Sequence, residues 1–472
     1  MICLLPNCCF LSETSRMLEI YRALTARGVP VRVATHGGTW EGVLREAGVP
    51  CDVLGPGWGP MRCEAFVRSV PGIGSPDQSM WSDEELRSYA ALEADYFRAH
   101  DVRVAVTGWT LTALLSTRLA GIQLVTEHAG AYVPPVFESD LLPVPTSVAL
   151  PRPIRRLPSG LRRRMYNAGV SRLDLWTSGF NRVARELRVE GIPSFPALLL
   201  GDLTLVTDVP EVLGLPREDV DEWRPRRAAA YRAGARMRYV GPIFAHFDTP
   251  IPERVEQVLD AGRPVVYVAI TSSPQALVRA VVAALRPLGA RIIVAATRHD
   301  LRDLEGDDVI IEPLLPSHRI MPRVDLAVTA GGQGSVQTAL ASGVPLIGIP
   351  LQPEQDANVF LAQHHGAARL VAQRDAGTEA MTSAARELLA DAAYRTNAAR
   401  IARIYAAADG PGAAADAIIE LGEVPRSGRI VQERRVEAVA GQLNERAVVE
   451  PQSLGDPGQV VAHVAAEVRR II

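Results

Sequence analysis

The feature that most constrains the fold is a repeated alternation of short apolar runs with amphipathic helical stretches. In the first half, "ICLLP" is followed by "SRMLEIYRALTARG", which has helical periodicity and closes at Gly28, and then by "PVRVATH". The runs "VRVAVTG" and "IQLVTEH" repeat this order on either side of "TLTALLSTRLAG". Strand–helix–strand units of this size predict a parallel sheet with helices on both faces.

The same alternation starts again in the second half, from "PVVYVAITSS" through "ARIIVAAT" and "DVIIEPLL" to "VDLAVTAGG" and "VPLIGIP". Residues 238–253, between the halves, are rich in proline and lack periodicity, so we interpret them as a linker. We predict two doubly wound, Rossmann-like α/β domains facing a central cleft, one over residues 1–240 and one over 241–424. The tail, 425–472, has helical periodicity but no recognisable chemistry, which favours an interface or packing role.

Composition excludes several classes of enzyme. All 50 basic residues of the 472 are arginine, so a Schiff-base lysine and a P-loop lysine are both impossible. A net charge of -3 gives no reason to expect nucleic acid as a partner. The five cysteines form no CxxC pair, and no apolar run reaches the length of a membrane span. We therefore expect a cytoplasmic protein with reduced thiols and no metal site.

One segment departs from the average charge balance. Residues 151–172 carry seven arginines and no acidic residue. A solvated loop is one explanation of this composition. Contact with an acidic acceptor or with an anionic membrane surface is the other.

The stretch "VTAGGQGSVQTALASGVPLIGIPLQPEQDAN" contains the clearest candidate for a binding site. Gly331, Gly332 and Gly334 remove side chains where a strand passes into a helix, so backbone N–H groups can approach a ligand closely. Ser335 adds a hydroxyl donor at the same helix start. Because ligands of doubly wound sheets bind at the carboxyl ends of the strands, this turn predicts a phosphate or diphosphate site.

On these residues the second half resembles the family 1 nucleotide-sugar-dependent glycosyltransferases of the GT-B fold, which include bacterial antibiotic and macrolide glycosyltransferases. The likeness also runs through "RYVGP", "RPVVYVAITSS" and "LLADAAYRTNAARIARIYAAADGPGAAADAIIEL", and so covers most of residues 238–422. It implies transfer of a sugar from a UDP- or dTDP-sugar to a small-molecule acceptor, with inversion, in natural-product biosynthesis. It also implies an acceptor-binding first domain, a donor-binding second domain, no cofactor beyond the donor, and a monomer or homodimer.

The resemblance assigns roles to individual positions of the second half. The donor diphosphate would bind Gly331, Gly332, Gly334 and Ser335, together with Ser272 and Ser273 after the first strand of that domain. The backbone near Leu314 and Leu315 would hold the nucleotide base. Glu354 and Gln355 match the acidic residue and glutamine that bind the sugar hydroxyls in the family, although a solvated loop is an alternative.

Two departures from the family pattern concern catalysis. Ala330 stands where the family has a histidine that donates to a donor phosphate. On the acceptor side, Glu13 occupies the place of the base histidine, and Thr107 replaces the aspartate that orients it. Glu13 is either the base itself, with a pKa raised by partial burial, or a residue that caps the helix start.

Further acceptor-side candidates are Ser12, Glu127 and His128, the last two at the end of "IQLVTEH". For His128, a buried histidine with satisfied hydrogen bonds is the alternative. We expect structural roles for His36 and His318. Two other functions stay open from the sequence. One is a nucleotide-sugar 2-epimerase, which would use the same diphosphate pocket without an acceptor. The other is a catalytically silent homologue that activates a partner enzyme, which Ala330 and the missing histidine–aspartate dyad would favour.

Overall fold

The computed structural model describes residues 1–55, 57–72, 80–147, 152–174, 176–246, 249–262, 264–270, 273–296 and 299–423. The first half forms a parallel sheet from strands β1 (Ile2–Leu4), β2 (Val31–Thr35), β3 (Asp52–Val53), β4 (Val104–Thr107), β5 (Gln123–His128), β6 (Leu203–Val206) and β7 (Arg236–Tyr239). These strands pair in the order β3-β2-β1-β4-β5-β6-β7. The helices that surround them are α1 (Leu11–Ala26), α2 (Glu41–Glu46), α3 (Pro60–Gly72), α4 (Asp83–Ala99), α5 (Ala113–Ala120), α6 (Pro134–Glu138), α7 (Arg152–Arg155), α8 (Ser159–Val170), α9 (Thr177–Leu187), α10 (Pro210–Leu213) and α11 (Arg217–Asp221).

The second half forms another parallel sheet, from strands β8 (Val265–Ala269), β9 (Arg291–Ala295), β10 (Val309–Glu312), β11 (Leu326–Thr329), β12 (Leu346–Gly348) and β13 (Ala368–Leu370). Here the order is β10-β9-β8-β11-β12-β13. The helices of this half and of the chain that follows are α12 (Glu253–Leu259), α13 (Gln275–Leu285), α14 (Ser317–Ile320), α15 (Gln333–Ala341), α16 (Pro353–His364), α17 (Glu379–Ala390), α18 (Ala392–Ala406) and α19 (Gly410–Glu423).

The apolar runs become strands because the sheets are covered on both faces. All four residues of β4 and all four of β11 are buried, as expected for parallel strands between two helical layers. Helix α13 buries Val278, Val281, Val282 and Leu285, and this spacing of three and four residues places them on one face. The prediction of an α/β protein with two doubly wound parallel sheets is confirmed.

The last described helix, α19, returns to the first sheet although it follows the second sheet in the chain. It packs against α1, and its Ala414 and Ile418 are fully buried in the same cluster as residues of β1. Arg27 on one side and Arg238 on the other form ion pairs with acidic residues of α19. Residues 238–253, predicted to be a linker, begin with the last two residues of β7. The predicted tail, 425–472, lies outside the described residues.

Both sheets reverse their strand order next to their first strand. In the first sheet the reversal falls between β1 and β4, and in the second between β8 and β11. A crevice forms outside the carboxyl ends of the strands at such a point, because the connecting segments leave in opposite directions. The glycine-rich turn follows β11 directly, so the topology places it at the crevice of the second sheet.

Candidate active site

A cavity of about 1030 Å³ is lined by segments from both halves of the chain. One part of the lining comes from segments that follow β1, β4 and β5, and another part from segments that follow β10, β11 and β12. Among the sequence-predicted residues, those that line it are Ser12, Glu127, His128, Leu314, Leu315, Gly332, Gly334, Ser335, Glu354 and Gln355. Glu13, Ser273 and Gly331 are not part of the lining, and Ser272 lies outside the described residues.

The glycines of the turn divide into two kinds. Gly331 has a φ of +88°, and a Cβ there would lie 2.7 Å from a methyl carbon of Val359 and 2.8 Å from the Gln355 carbonyl oxygen. Gly331 is therefore required for packing against α16. A Cβ on Gly332 or Gly334 would meet nothing within 4 Å, so these two positions open into the cavity.

The helix start at this turn has backbone donors that no described side chain satisfies. Gly332 is the N-cap of α15, and among the described residues no side chain accepts from the first backbone N–H groups of the helix. These groups and the helix dipole favour an anion at this position. Ser335, which lines the cavity, adds a hydroxyl. The turn thus has the features of a phosphate site without a charged side chain.

Ser273 lies behind the cavity wall. It is 2% exposed, its hydroxyl is buried without a hydrogen-bond partner, and its carbonyl oxygen lies 2.7 Å from His299 Nε2. Its role in binding the diphosphate therefore stays a prediction.

Glu354 and Gln355 occupy the first turn of α16, beside the phosphate turn, and so do not form the solvated loop considered above. Glu354 Oε1 accepts from Asn358 Nδ2, and burial raises the pKa of this carboxyl to about 7. Gln355 Oε1 accepts from the Leu351 N–H at 2.8 Å, which leaves its amide nitrogen as a donor. A carboxyl and an amide nitrogen therefore face the cavity together and can bind adjacent hydroxyls.

Glu13 is fully buried and does not face the cavity. Its Oε1 accepts from three backbone N–H groups, those of Asn7 at 3.1 Å, Gly108 at 3.1 Å and Trp109 at 2.7 Å. Burial raises its pKa to about 7, partly offset by these hydrogen bonds. The carboxyl thus holds the segments after β1 and β4 together.

This geometry revises both sequence interpretations of Glu13. Helix α1 begins at Leu11, with Phe10 as an N-cap that makes no side-chain hydrogen bond, so Glu13 does not cap it. A base must reach the hydroxyl it deprotonates, and a carboxyl behind the wall cannot do so without rearrangement. The described geometry therefore favours a structural anchor.

Glu127 is part of a polar chain that joins the two halves. Arg16 Nε lies 2.8 Å from Glu127 Oε2, and Glu127 Oε1 accepts from the Thr207 hydroxyl at 3.1 Å. Thr207 in turn accepts hydrogen bonds from the amide nitrogens of Gln333 and Gln337 on α15. Gln333 belongs to the glycine-rich turn, so the donor-side helix contacts the acceptor-side carboxylate through one threonine.

His128 lines the cavity at the end of β5 and has the properties of a base. Its Nδ1 lies 2.8 Å from the Ala129 carbonyl oxygen, so Nδ1 carries the proton and Nε2 is left as an acceptor. Burial lowers the pKa of this imidazole below its usual value, which keeps the ring neutral at physiological pH. Of the acceptor-side candidates, His128 therefore has the three properties that a base needs: it lines the cavity, its Nε2 can accept a proton, and its ring is neutral.

His36 is a structural residue. Its Nε2 lies 2.8 Å from Glu93 Oε1, and the same carboxylate accepts from the hydroxyls of Thr112 and Ser116. His36 is buried and lies outside the cavity lining, as expected from the sequence.

Sequence reasoning missed two parts of the site. Asp356, next to the predicted sugar pair, is 2% exposed and accepts from the backbone N–H groups and hydroxyls of Thr146 and Ser147, which fastens the first half to α16. The acceptor-side wall is aromatic, formed by Phe10, Trp40, Trp109, Tyr132, Tyr166 and Phe195. Those side chains are scattered over nearly two hundred positions, so no local pattern could have shown them together.

No group of three or more histidine, cysteine or acidic side chains that could hold a metal ion occurs among the described residues.

Comparison with known proteins points to one family. Residues 231–416 match the model of the family described as UDP-glucoronosyl and UDP-glucosyl transferase. The PGL/p-HBAD biosynthesis glycosyltransferase of Mycobacterium tuberculosis (strain ATCC 25177 / H37Ra) is 27% identical over 327 residues, which cover 69% of this chain and 72% of that protein. The 4'-demethylrebeccamycin synthase of Lentzea aerocolonigenes is 34% identical over 190 residues, covering 39% of this chain and 44% of that protein.

Solved structures show the same architecture. The glycosyltransferase VinC in complex with dTDP superposes with a TM-score of 0.61 at 15% identity, over 90% of this chain and 100% of that one. The spinosyn forosaminyltransferase SpnP gives a TM-score of 0.60 at 15% identity, over 89% and 99% of the two chains. At this identity the superposition establishes the fold, which is GT-B.

Proposed function

We propose that this chain acts as a family 1 glycosyltransferase and transfers a sugar from a dTDP- or UDP-sugar to a hydroxyl of a large, mainly apolar acceptor. The observation that carries this proposal is the cavity. It brings an uncapped, glycine-lined helix start, a carboxyl–amide pair and an aromatic wall into one space.

The donor end of the cavity would bind the nucleotide diphosphate at Gly332, Gly334 and Ser335, with the base beside Leu314 and Leu315. Hydrogen bonds to charged groups contribute about 1.5–3 kcal/mol each, so a few backbone donors can compensate for the histidine that Ala330 replaces. Gln333 does not take its place, because its amide nitrogen is engaged by Thr207. Among the similar solved structures, VinC and SsfS6 were crystallised with dTDP, which supports a thymidine nucleotide.

The acceptor end would position the attacking hydroxyl near His128, which removes its proton. Direct displacement at the anomeric carbon then expels the diphosphate toward the positive end of α15. An inverting reaction needs the nucleophile and the leaving group on opposite faces of the anomeric carbon, and we propose that His128 serves the first and α15 the second.

Neither alternative function is favoured. A 2-epimerase needs no acceptor, and so gives no reason for an aromatic wall on the side away from the turn. A silent homologue gives no reason for the carboxyl–amide pair at the cavity.

The free thiols of all five cysteines support our proposal of a cytoplasmic location. None of the helices in the described ranges combines the length and apolarity needed to cross a bilayer.

Replacing Glu354 tests the donor-sugar assignment. Glu354→Ala should weaken the binding of dTDP-glucose by about 5- to 10-fold, since one or two hydrogen bonds of about 0.5–1.5 kcal/mol are lost. Binding of dTDP should change less than about 2-fold, because the carboxyl is proposed to contact only sugar hydroxyls. Calorimetric titration of both ligands, repeated with UDP and UDP-glucose, measures the difference. Equal loss for sugar nucleotide and bare diphosphate would show that Glu354 contacts the nucleotide or is structural.

A further inference from the structure

The acceptor end of the cavity contains an arginine that has no acidic partner among the described residues. Arg162, on α8, lines the cavity together with Met165 and Tyr166 of the same helix and Ile154 of α7. Its side chain is half-buried, and its Nε is out of contact with solvent and has no hydrogen-bond partner. No ion pair joins Arg162 to any residue in the described ranges. A buried guanidinium nitrogen without an acceptor is costly, so this position favours a ligand that supplies one.

The other charged side chains near the cavity do not neutralise Arg162. Glu127 is paired with Arg16, and Glu354 lies at the donor end, bonded to Asn358. Glu64 is exposed and has a contact of its own. The positive charge of Arg162 is therefore left unbalanced within the described part of the cavity.

Helix α8, which holds Arg162, and the preceding helix α7 add to this positive charge. Their remaining arginines are exposed and form no ion pairs with described residues: Arg152, Arg155, Arg163 and Arg164. Several arginines elsewhere in the described ranges are paired, as Arg118 is with Asp202 and Arg254 is with Glu305 and Glu312. Arg162 differs from its neighbours because its side chain lines the cavity, where lower polarity strengthens its attraction for an anion.

We propose that the acceptor carries an anionic group of the carboxylate, sulfonate or phosphate class on an apolar, aromatic body, and that Arg162 binds this group. The planar guanidinium suits such oxyanions, and the aromatic wall accommodates the remainder of the molecule. This inference rests on the proposed function, because it places the acceptor in the same cavity as the sugar donor.

A matched pair of fluorescent probes tests the proposal without knowledge of the natural acceptor. 8-Anilinonaphthalene-1-sulfonate has an aromatic body with a sulfonate, and N-phenyl-1-naphthylamine has the same body without it. The wild-type protein should bind the sulfonate at least about 10-fold more tightly, and Arg162→Met should remove this preference. Arg163→Met, next to it on α8 but outside the cavity lining, should leave the preference unchanged. Methionine keeps the apolar stem and removes only the guanidinium.

The remaining outcomes decide between this proposal and a general surface effect. Equal binding of the two probes by the wild type, or no binding of the sulfonate, overturns it. So does an equal loss in both variants, which would mean that the arginines act only as a charged surface. Binding to phosphatidylglycerol vesicles that depends equally on Arg162 and Arg163 would support a membrane surface instead. Titration with dTDP separates the proposed anionic acceptor from the proposed glycosyltransferase function. Arg162→Met should bind dTDP with normal affinity. Failure of the wild type to bind dTDP would count against the glycosyltransferase function alone.

Discussion

Gly334→Val should lower the affinity for dTDP and UDP by at least about 100-fold, which corresponds to the loss of one or two hydrogen bonds to a charged phosphate. Its free energy of unfolding should stay within about 1 kcal/mol of the wild-type value. A Cβ at Gly334 meets no protein atom within 4 Å, and valine has a higher helix propensity than glycine. The new side chain therefore fills only the space proposed for the diphosphate. Calorimetric titration and urea unfolding measure the two quantities.

Gly331→Ala provides the contrasting control. A Cβ there would lie 2.7 Å from a side-chain carbon of Val359, on a backbone with positive φ, so this variant should lose stability by about 1–3 kcal/mol. If Gly334→Val bound dTDP with unchanged affinity, the phosphate-turn assignment would be wrong. If it unfolded like Gly331→Ala, the open space at Gly334 would be misjudged.

His128→Gln should reduce kcat by about 10²–10⁴, because glutamine keeps hydrogen-bonding capacity but cannot take a proton at neutral pH. The affinity for dTDP should not change, since His128 is proposed to contact the acceptor hydroxyl and not the diphosphate. Glu13→Gln should retain near-normal turnover, because the amide oxygen can still accept from the backbone N–H groups that Glu13 binds. Sugar transfer to an identified acceptor, or slow hydrolysis of the donor until one is known, provides the rate.

The pH dependence of kcat gives an independent check on His128. Burial lowers the pKa of this imidazole, so the neutral, competent form persists to a pH below the usual histidine value. Activity should fall on acidification through that lowered pKa, because a protonated ring cannot accept the hydroxyl proton. Loss of activity in Glu13→Gln with normal activity in His128→Gln would reverse the assignment.

The alternation of strands and helices could be predicted from the sequence because burial on both faces of a parallel sheet requires continuous apolar runs. The turn after β11 could also be predicted, because three glycines at a strand–helix junction are a pattern of neighbouring residues. The direction in which the Glu13 side chain points could not be predicted from the sequence. A carboxylate in the first turn of α1 has the same local sequence whether it faces the cleft or the segment after β4, and only the pairing of β1 with β4 decides between them.

Contacts between distant parts of the chain could not be predicted either, because they too depend on the tertiary structure. Thr207 and Gln333 are 126 positions apart and have no shared periodicity, yet their side chains join the two halves. The return of α19 to the first sheet depends on the packing of Ala414 and Ile418 against residues of β1, which a single amphipathic helix does not specify. In the sequence, Arg162 is only one member of a basic run. Its side chain lines the cavity and that of Arg163 does not, and this difference depends on the tertiary structure.

The protein is proposed to move a sugar from a nucleoside diphosphate to an acceptor hydroxyl. The most direct test is mass-spectrometric analysis of products from dTDP-glucose or UDP-glucose, incubated with a panel of hydroxylated aromatic acceptors that includes carboxylated ones. Sugar transfer should yield free nucleoside diphosphate and glycosylated acceptor in equal amounts, with little consumption of donor when the acceptor is absent. Conversion of the donor to a sugar epimer without acceptor, or tight binding of every donor with no turnover on any acceptor, would contradict it.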